Sequence, residues 1–260
     1  MFPAWAGLFI GRAAMVQGPP AWKEQPVGNV PFTVYDALGY LSAGAILLTA
    51  ATIALVGEVP TEQTLATAVG IAIASYVVGH IISSLAVWAL DRGLFSDGWG
   101  MGRPEKVLFG EKVASFPWRL LFRHYYQALP DPIKKRVQDK AEAESLTGLE
   151  EDHYSSGLLA HCEAVVQRHP NFAPRIDRYE MLTTFLRNSS TAFALAAIVL
   201  FLAPAEHAVR LQTARGGTTS LTPDLLAALS LLAAGVLLFR YVQLFAEWRR
   251  RIFVLYAEAD

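Results

Sequence analysis

Residues 187–202 read RNSSTAFALAAIVLFL, and a charged segment runs into them without an intervening Gly or Pro. A helix confined to water does not need this change from charged to uniformly apolar side chains. A helix that passes from an aqueous compartment into lipid does, because charged side chains are costly in hydrocarbon whereas apolar side chains are not. The segment therefore predicts a helix that enters a membrane at Arg187.

Three further segments share this apolar character and approach the roughly 20 residues that a spanning helix needs. The four predicted spans are residues 34–56, 65–90, 188–203 (lengthened by 182–186) and 225–245. Thr61 and Thr222 are the expected N-caps of the second and fourth spans. These two spans are apolar on all faces, which is not typical of amphipathic helices on a soluble protein. The sequence thus predicts an all-α polytopic membrane protein with four transmembrane helices in two hairpins.

The composition agrees with this class. Hydrophobic residues make up 53% of the 260, charged residues only 17%, and mean hydropathy is +0.31. The formal net charge of −1 argues against a nucleic-acid partner, which usually requires a basic stripe. Cys162 is the only cysteine, so an internal disulfide is excluded.

The distribution of basic residues predicts the orientation. The segment between the second and third spans is rich in Lys and Arg, whereas residues 58–64 contain neither. Cytoplasmic flanks carry the excess of Lys and Arg, so both termini and the middle segment are expected in the cytoplasm, at the inner membrane. The predicted units are an irregular N-terminal arm (1–30), transmembrane hairpin one (31–91), a cytoplasmic helical insert (92–187), transmembrane hairpin two (188–245) and a cytoplasmic helical tail (246–260).

Inside the insert, residues 117–129 have an amphipathic pattern. This segment is predicted to be a helix that lies on the inner leaflet or packs on the insert's own helices. The third and fourth spans show no breaker at their charged ends. We therefore expect both to extend beyond the bilayer as a stalk that packs with the insert.

Small residues in the second span predict a helix-packing face. Ser75, Gly79 and Ser83 recur at intervals of four, a spacing that lets another helix approach closely. We expect this face to favour assembly of several copies of the chain.

A polar stripe runs beside that face. Tyr76, His80 and Ser84 also recur at intervals of four and are predicted to face the helix bundle or a pore. An ionisable side chain at membrane depth is a functional candidate, so His80 is a candidate proton carrier, gate or pore-lining group. The alternative is a neutral imidazole whose hydrogen bonds to Tyr76 or Ser84 hold the bundle together.

Charged residues are expected at one cytoplasmic level of the bundle: Asp36, Asp91, Arg92, Arg187 and Arg240. Asp36 stands in an otherwise apolar run and needs a partner, for which Arg187 and Arg240 are the leading candidates. These charges are interpreted either as ion pairs that lock the helix ends or as a vestibule that selects ions.

The sequence offers little for catalysis. His153, His161, Cys162 and His169 lie close along the chain, but their spacing permits a zinc site only if the chain folds back. Nothing marks the Cys162 thiol as an activated nucleophile. We predict no catalytic residues, no metal and no cofactor.

Two stretches carry a resemblance to known sequences. Residues 35–41 read YDALGYL and residues 76–83 read YVVGHIIS, followed by LFG at 108–110. They resemble small uncharacterised bacterial multi-pass membrane proteins with a YDxxGYLxxG…YxxGHxxS pattern, over the first two spans only. Such proteins are similar in layout to few-span membrane effectors of bacterial anti-phage systems, whose usual output is membrane disruption or ion leakage.

These features lead to a functional hypothesis. We expect an oligomeric membrane effector or channel-like protein whose insert senses a soluble protein or a small-molecule signal and whose spans change membrane permeability. Its expected partners are the lipid bilayer and further copies of the chain, with no nucleic acid. The alternatives are a non-conducting anchor that recruits a soluble partner and, with less support, a lipid-modifying enzyme.

Overall fold

A computed structural model describes most of the chain. It covers residues 34–57, 64–95, 101–110, 116–123, 125–144, 151–207, 209–212 and 218–259, without the side chains of 34–37, 116–117, 151–156, 210–212 and 218–219. The predicted N-terminal arm and the side chain of Asp36 lie outside these described residues.

The described chain is almost entirely helical. In order, its elements are α1 Val34–Val56, α2 Leu65–Ala86, a π-helical segment Val87–Leu94 that continues α2, α3 Pro104–Leu108, α4 Phe116–Leu121, α5 Asp131–Ala143, α6 Glu151–Arg168, α7 Ala173–Phe201, strands β1 Val209–Gln212 and β2 Thr218–Leu221, and α8 Pro223–Glu258. Four of the described segments are long and apolar enough to cross a membrane: Leu38–Val56, Leu65–Leu94, Ala173–Phe201 and Pro223–Glu258. This confirms the all-α prediction with four such helices and supports a multi-pass membrane protein.

The helix ends follow from local chemistry. Gly57 ends α1 with a positive φ of 78°, a backbone conformation that other residues rarely adopt. The N-cap of α2 is Thr64, whose hydroxyl accepts a hydrogen bond from the Thr67 amide at 3.3 Å, so the prediction of Thr61 was wrong. Thr222 caps α8 as predicted. The sequence pattern did not indicate the antiparallel ribbon of β1 and β2 between α7 and α8.

Residues 187–201 lie in α7, the central helix of the described structure. α7 packs against α1, α2 and α8. Its contact surface is made of small residues, with Ala192 and Ala196 buried against α1 and its neighbours. Such side chains allow helix axes to approach closely, which stabilises packing where both sides are apolar.

α8 also contributes to a second, more polar part of the molecule. At 36 residues it is about 54 Å long by the helical rise of 1.5 Å per residue. Its C-terminal turns form an apolar core with α5 and α6; this core includes Val137, Ala141, Leu158, Cys162, Val166, Trp248, Ile252, Phe253 and Tyr256. Residues 246–258 of the predicted tail (246–260) are therefore the end of one continuous helix, and they contribute several side chains to this core.

The predicted amphipathic helix 117–129 is shorter than expected. α4 ends at Leu121, and Phe122 and Tyr125 turn inward to pack against Tyr241 and Val242 of α8. The Tyr125 hydroxyl donates a hydrogen bond to the Gly102 carbonyl at 2.7 Å. Burial raises the pKa of Tyr125 well above its usual value, so the phenol stays protonated and remains a donor.

Candidate functional site

The small residues of the second span lie in a close contact between α1 and α2. Ser75, Gly79 and Ser83 are all buried. A Cβ atom added at Gly79 would lie 2.0 Å from the Tyr40 carbonyl oxygen, and one added at Gly44 would lie 1.7 Å from the Ser75 carbonyl oxygen. Gly44 contacts Ser75, and Tyr40, earlier in α1, contacts Gly79, later in α2. The two helices therefore run in opposite directions.

This contact gives a physical reason for part of the pattern quoted from the sequence. Tyr40, Gly44 and Gly79 are positions of the quoted YDxxGYLxxG…YxxGHxxS pattern, and they meet where one backbone touches the other. The small face is therefore occupied by α1 of the same protomer. The expectation that it favours assembly of separate copies is corrected, since a face already buried is not free to bind a second chain.

The polar stripe of α2 lies on the outside of the helix bundle. The His80 ring stacks on Tyr40 with centroids 4.1 Å apart and meets the Tyr76 ring edge-on at 4.6 Å. His80 and Ser84 are exposed, and the Ser84 hydroxyl donates to the His80 carbonyl at 3.1 Å. Neither side chain is buried inside the helix bundle of the chain, and the alternative that they face a pore stays a prediction.

A polar cluster joins three helices where the apolar and polar parts meet. Asp91, in the π-helical segment, accepts hydrogen bonds from Arg187 Nη1 on α7 and from the Tyr241 hydroxyl on α8, both at 2.5 Å. The Arg187 side chain is 15% exposed and that of Asp91 27%. π-Helical turns occur often at functional sites. We call Asp91, Arg187, Asn188, Ser189 and Tyr241 the polar junction.

The polar junction contains groups with unmet hydrogen-bonding capacity. Both amide atoms of Asn188, the Ser189 hydroxyl and Arg187 Nε are buried and have no hydrogen-bond partner among the described residues. Each such group costs roughly 1–3 kcal/mol of stability. Buried groups of this kind are uncommon in proteins, and several in one place make this junction the strongest candidate site.

The other predicted charges are arranged differently. Arg92 and Arg240 are exposed, and Arg240 Nη1 donates to Gln243 Oε1 at 3.1 Å. Arg187, one of the two candidate partners of Asp36, binds Asp91 in the π-helical segment. The Asp36 side chain lies outside the described residues, so its pairing stays a prediction. Of the four predicted charges whose side chains are described, the structure brings Asp91 and Arg187 together.

Sequence reasoning missed five residues: Tyr40 and Gly44 at the contact between α1 and α2, and Asn188, Ser189 and Tyr241 at the polar junction. Tyr241 is adjacent to Arg240, but successive helical residues point about 100° apart, so one faces outward and the other inward. The feature of the sequence that could have indicated Tyr241 is an aromatic side chain with a hydroxyl group near the end of an apolar run. Tyr40 and Gly44 are both positions of the quoted pattern, which gives no indication of what they touch.

The histidines and the cysteine near α6 do not gather into a metal site in the described structure. Within the described ranges, no three His, Cys, Asp or Glu side chains lie close enough together to hold a metal ion. His161 contacts Glu144, which also accepts a hydrogen bond from the Tyr256 hydroxyl at 3.1 Å. These contacts tie α6 to the ends of α5 and α8, which is a structural role.

Cys162 should be unreactive in the folded protein. Its side chain is fully buried in the core formed by α5, α6 and α8, and this burial raises the thiol pKa to about 12. The nucleophilic thiolate is then scarce at pH 7–9. We expect iodoacetamide to label the detergent-solubilised protein only after denaturation, as measured by intact mass. Rapid labelling of the native protein at pH 8 would contradict this burial.

Comparisons with protein-family models, with curated proteins and with solved structures found no match for this chain.

Proposed function

We propose that this chain is an oligomeric, multi-pass effector of the inner membrane that changes membrane permeability. Its two transmembrane hairpins hold a cytoplasmic helical insert (92–187), and both termini lie in the cytoplasm. The insert senses a soluble protein or a small-molecule signal, and the spans respond. The layout fits a role in bacterial anti-phage defence, and no catalytic step is required.

The polar junction is the observation that carries this proposal. α7 and α8 each run without a break from the polar core into the apolar bundle: Ile176 and Trp248 lie in the first, Ala196 and Ala227 in the second. Asp91, Arg187 and Tyr241 join both helices to α2 between these two regions. A shift of α7 or α8 in the core would therefore reach the spans through this junction.

Assembly into oligomers follows from the exposed polar stripe on α2. His80 and Ser84 lie on the protomer's outer face, where lipid would otherwise cover them. A polar side chain exposed to hydrocarbon is costly, so a neighbouring protomer or a water-filled pore is the favoured environment. Within the described bundle, helices α1, α2 and α7 meet at Ala43, Ile82 and Ala192, which offers no polar path through one protomer.

The second candidate is a non-conducting membrane anchor that recruits a soluble partner. The tight apolar packing inside the described protomer favours it, because an anchor needs no polar path. The two functions differ in what the exposed face of α2 does. It contacts another copy or a pore in an effector, whereas in an anchor it only meets lipid.

Cysteine cross-linking combined with ion flux separates these functions. We expect Ser84→Cys to form disulfide-linked dimers in membranes, because the proposal places the exposed face of α2 at the interface between two copies of the chain. Ala228→Cys, which is also exposed but lies on α8, is the matched control. The native Cys162 is buried and should not contribute.

Permeability is measured with a membrane-potential dye in a bacterial host that overproduces the protein. A high concentration of the protein favours oligomers by mass action, so overproduction can populate the active assembly without the signal that normally triggers it. We expect depolarisation with the wild type and a clear loss with His80→Ala. A Gly-Gly insertion after Arg187 should uncouple the insert from the spans while leaving membrane insertion intact. An unchanged potential, with no Ser84→Cys dimers, would support the anchor.

A further inference from the structure

Two adjoining cavities on the outer face of α8 share one residue, Arg240. The first is apolar, has a volume of about 650 Å³, and is lined by residues that include Leu231, Leu232, Gly235, Val236 and Phe239. The second is polar, has a volume of about 450 Å³, and is lined by residues that include Gln127, Gln243, Glu247 and Arg250. Together they form a path along the helix from an apolar groove to a charged pocket.

The apolar groove is open and its shape depends on a glycine. Leu231 and Leu232 are 64% and 65% exposed. A Cβ atom added at Gly235 would meet nothing within 4 Å among the described residues, so this position leaves a notch between the larger side chains. The groove has the dimensions and chemistry to accept a hydrocarbon chain lying along α8.

The polar pocket carries positive charge. Its one carboxylate, on Glu247, is bound by Arg251 at 2.9 Å, which compensates its charge. Arg250 holds the Gln127 carbonyl at 2.7 Å, and its Nε is buried without a hydrogen-bond partner among the described residues. Arg240 is exposed and bonds only the neutral amide of Gln243 in the described structure. Two arginine charges are thus left for an anionic ligand.

We propose that these cavities bind one anionic phospholipid, with an acyl chain in the groove and the phosphate between Arg240 and Arg250. Arginine is well suited to phosphate because its planar guanidinium presents several donors. Basic pockets beside transmembrane helices are a known way of holding lipid headgroups. A lipid is favoured over a soluble anion because the charged pocket opens directly onto exposed leucines. The proposal does not depend on the permeability function.

Lipid selectivity of the full-length protein tests this site. In nanodiscs of phosphatidylcholine containing a small fraction of phosphatidylglycerol, native mass spectrometry should show phosphatidylglycerol retained on the wild type. Arg240→Gln should reduce the preference for phosphatidylglycerol about fivefold, the factor expected for one arginine at an anionic surface. Arg250→Gln should act similarly. Arg136→Gln, an exposed arginine of α5 outside both cavities, is the control.

Two further arms separate the lipid from other ligands. Gly235→Leu should fill the groove and lower phosphatidylglycerol retention, whereas Gly70→Leu, at another open position, should not. Inorganic phosphate at millimolar concentration should fail to displace the lipid. Equal retention of the two lipids by the wild type, equal losses in Arg240→Gln and Arg136→Gln, or displacement by phosphate would each overturn the proposal. Arg240 is exposed, so Arg240→Gln should fold normally. It still tests lipid binding if Arg250→Gln proves unstable.

Discussion

Replacing Gly79 with alanine should lower the unfolding midpoint of the detergent-solubilised protein by roughly 5–10 °C. The added methyl group would lie 2.0 Å from the Tyr40 carbonyl oxygen, and that atom belongs to the backbone of α1, so no side-chain rotation relieves the clash. The helices must separate, which costs packing at Ala43 and Ile82 beside the contact. Gly44→Ala should have a similar effect, because its clash with the Ser75 carbonyl is equally severe.

The matched control is Gly70→Ala on the same helix. A Cβ atom there would meet nothing within 4 Å among the described residues, and alanine is a better helix former than glycine. We expect an unchanged or slightly higher midpoint, followed by circular dichroism or by a fluorescence-based thermal assay. If Gly79→Ala and Gly70→Ala unfold at the same temperature, α1 and α2 do not cross as described.

Breaking the polar junction should have the second largest effect. Arg187→Gln or Asp91→Asn is expected to lose about 2–3 kcal/mol of unfolding free energy, because each leaves its largely buried partner charge uncompensated. Exposed ion pairs rarely contribute more than about 1 kcal/mol. Arg251→Gln, which removes the exposed Glu247–Arg251 pair, is therefore the control and should cost much less.

A double-mutant cycle distinguishes the pair from general damage. Asp91→Asn combined with Arg187→Gln should cost clearly less than the sum of the single substitutions, since the second change removes the charge that the first left unpaired. Tyr241→Phe should show a smaller coupling, because it removes one hydrogen bond and no charge. Strict additivity of the charge substitutions would contradict the pairing, whatever their absolute size.

The junction also explains why the charged residues were harder to predict than the helices. The predicted spans placed Asp91, Arg187 and Arg240 at a similar depth in the membrane. A shared depth does not specify which side chains face each other. Arg187 on α7 binds Asp91 in the π-helical segment that continues α2. Arg240 faces outward beside the polar pocket, and Tyr241, one residue later, completes the junction instead.

Patterns along the chain were sufficient for the class of protein and for most helix positions. Apolar length predicted four segments able to cross a membrane, and α1 begins and ends where the sequence indicated. The capping threonine of α8 was also readable, because this signal acts within a few residues. The same local reasoning failed at the start of α2, where Thr64 and not Thr61 is the N-cap, and at the end of α4, where Phe122 and Tyr125 pack against α8.

Only the tertiary structure decided what each face meets. The spacing of Ser75, Gly79 and Ser83 indicated close packing but not whether the partner was α1 or a second copy. His80 was recognisable as a polar residue at depth, yet its position on the outer face depends on how α2 is rotated against α1 and α7. Periodicity within one helix defines its faces, whereas their partners are set by contacts between residues far apart in the chain.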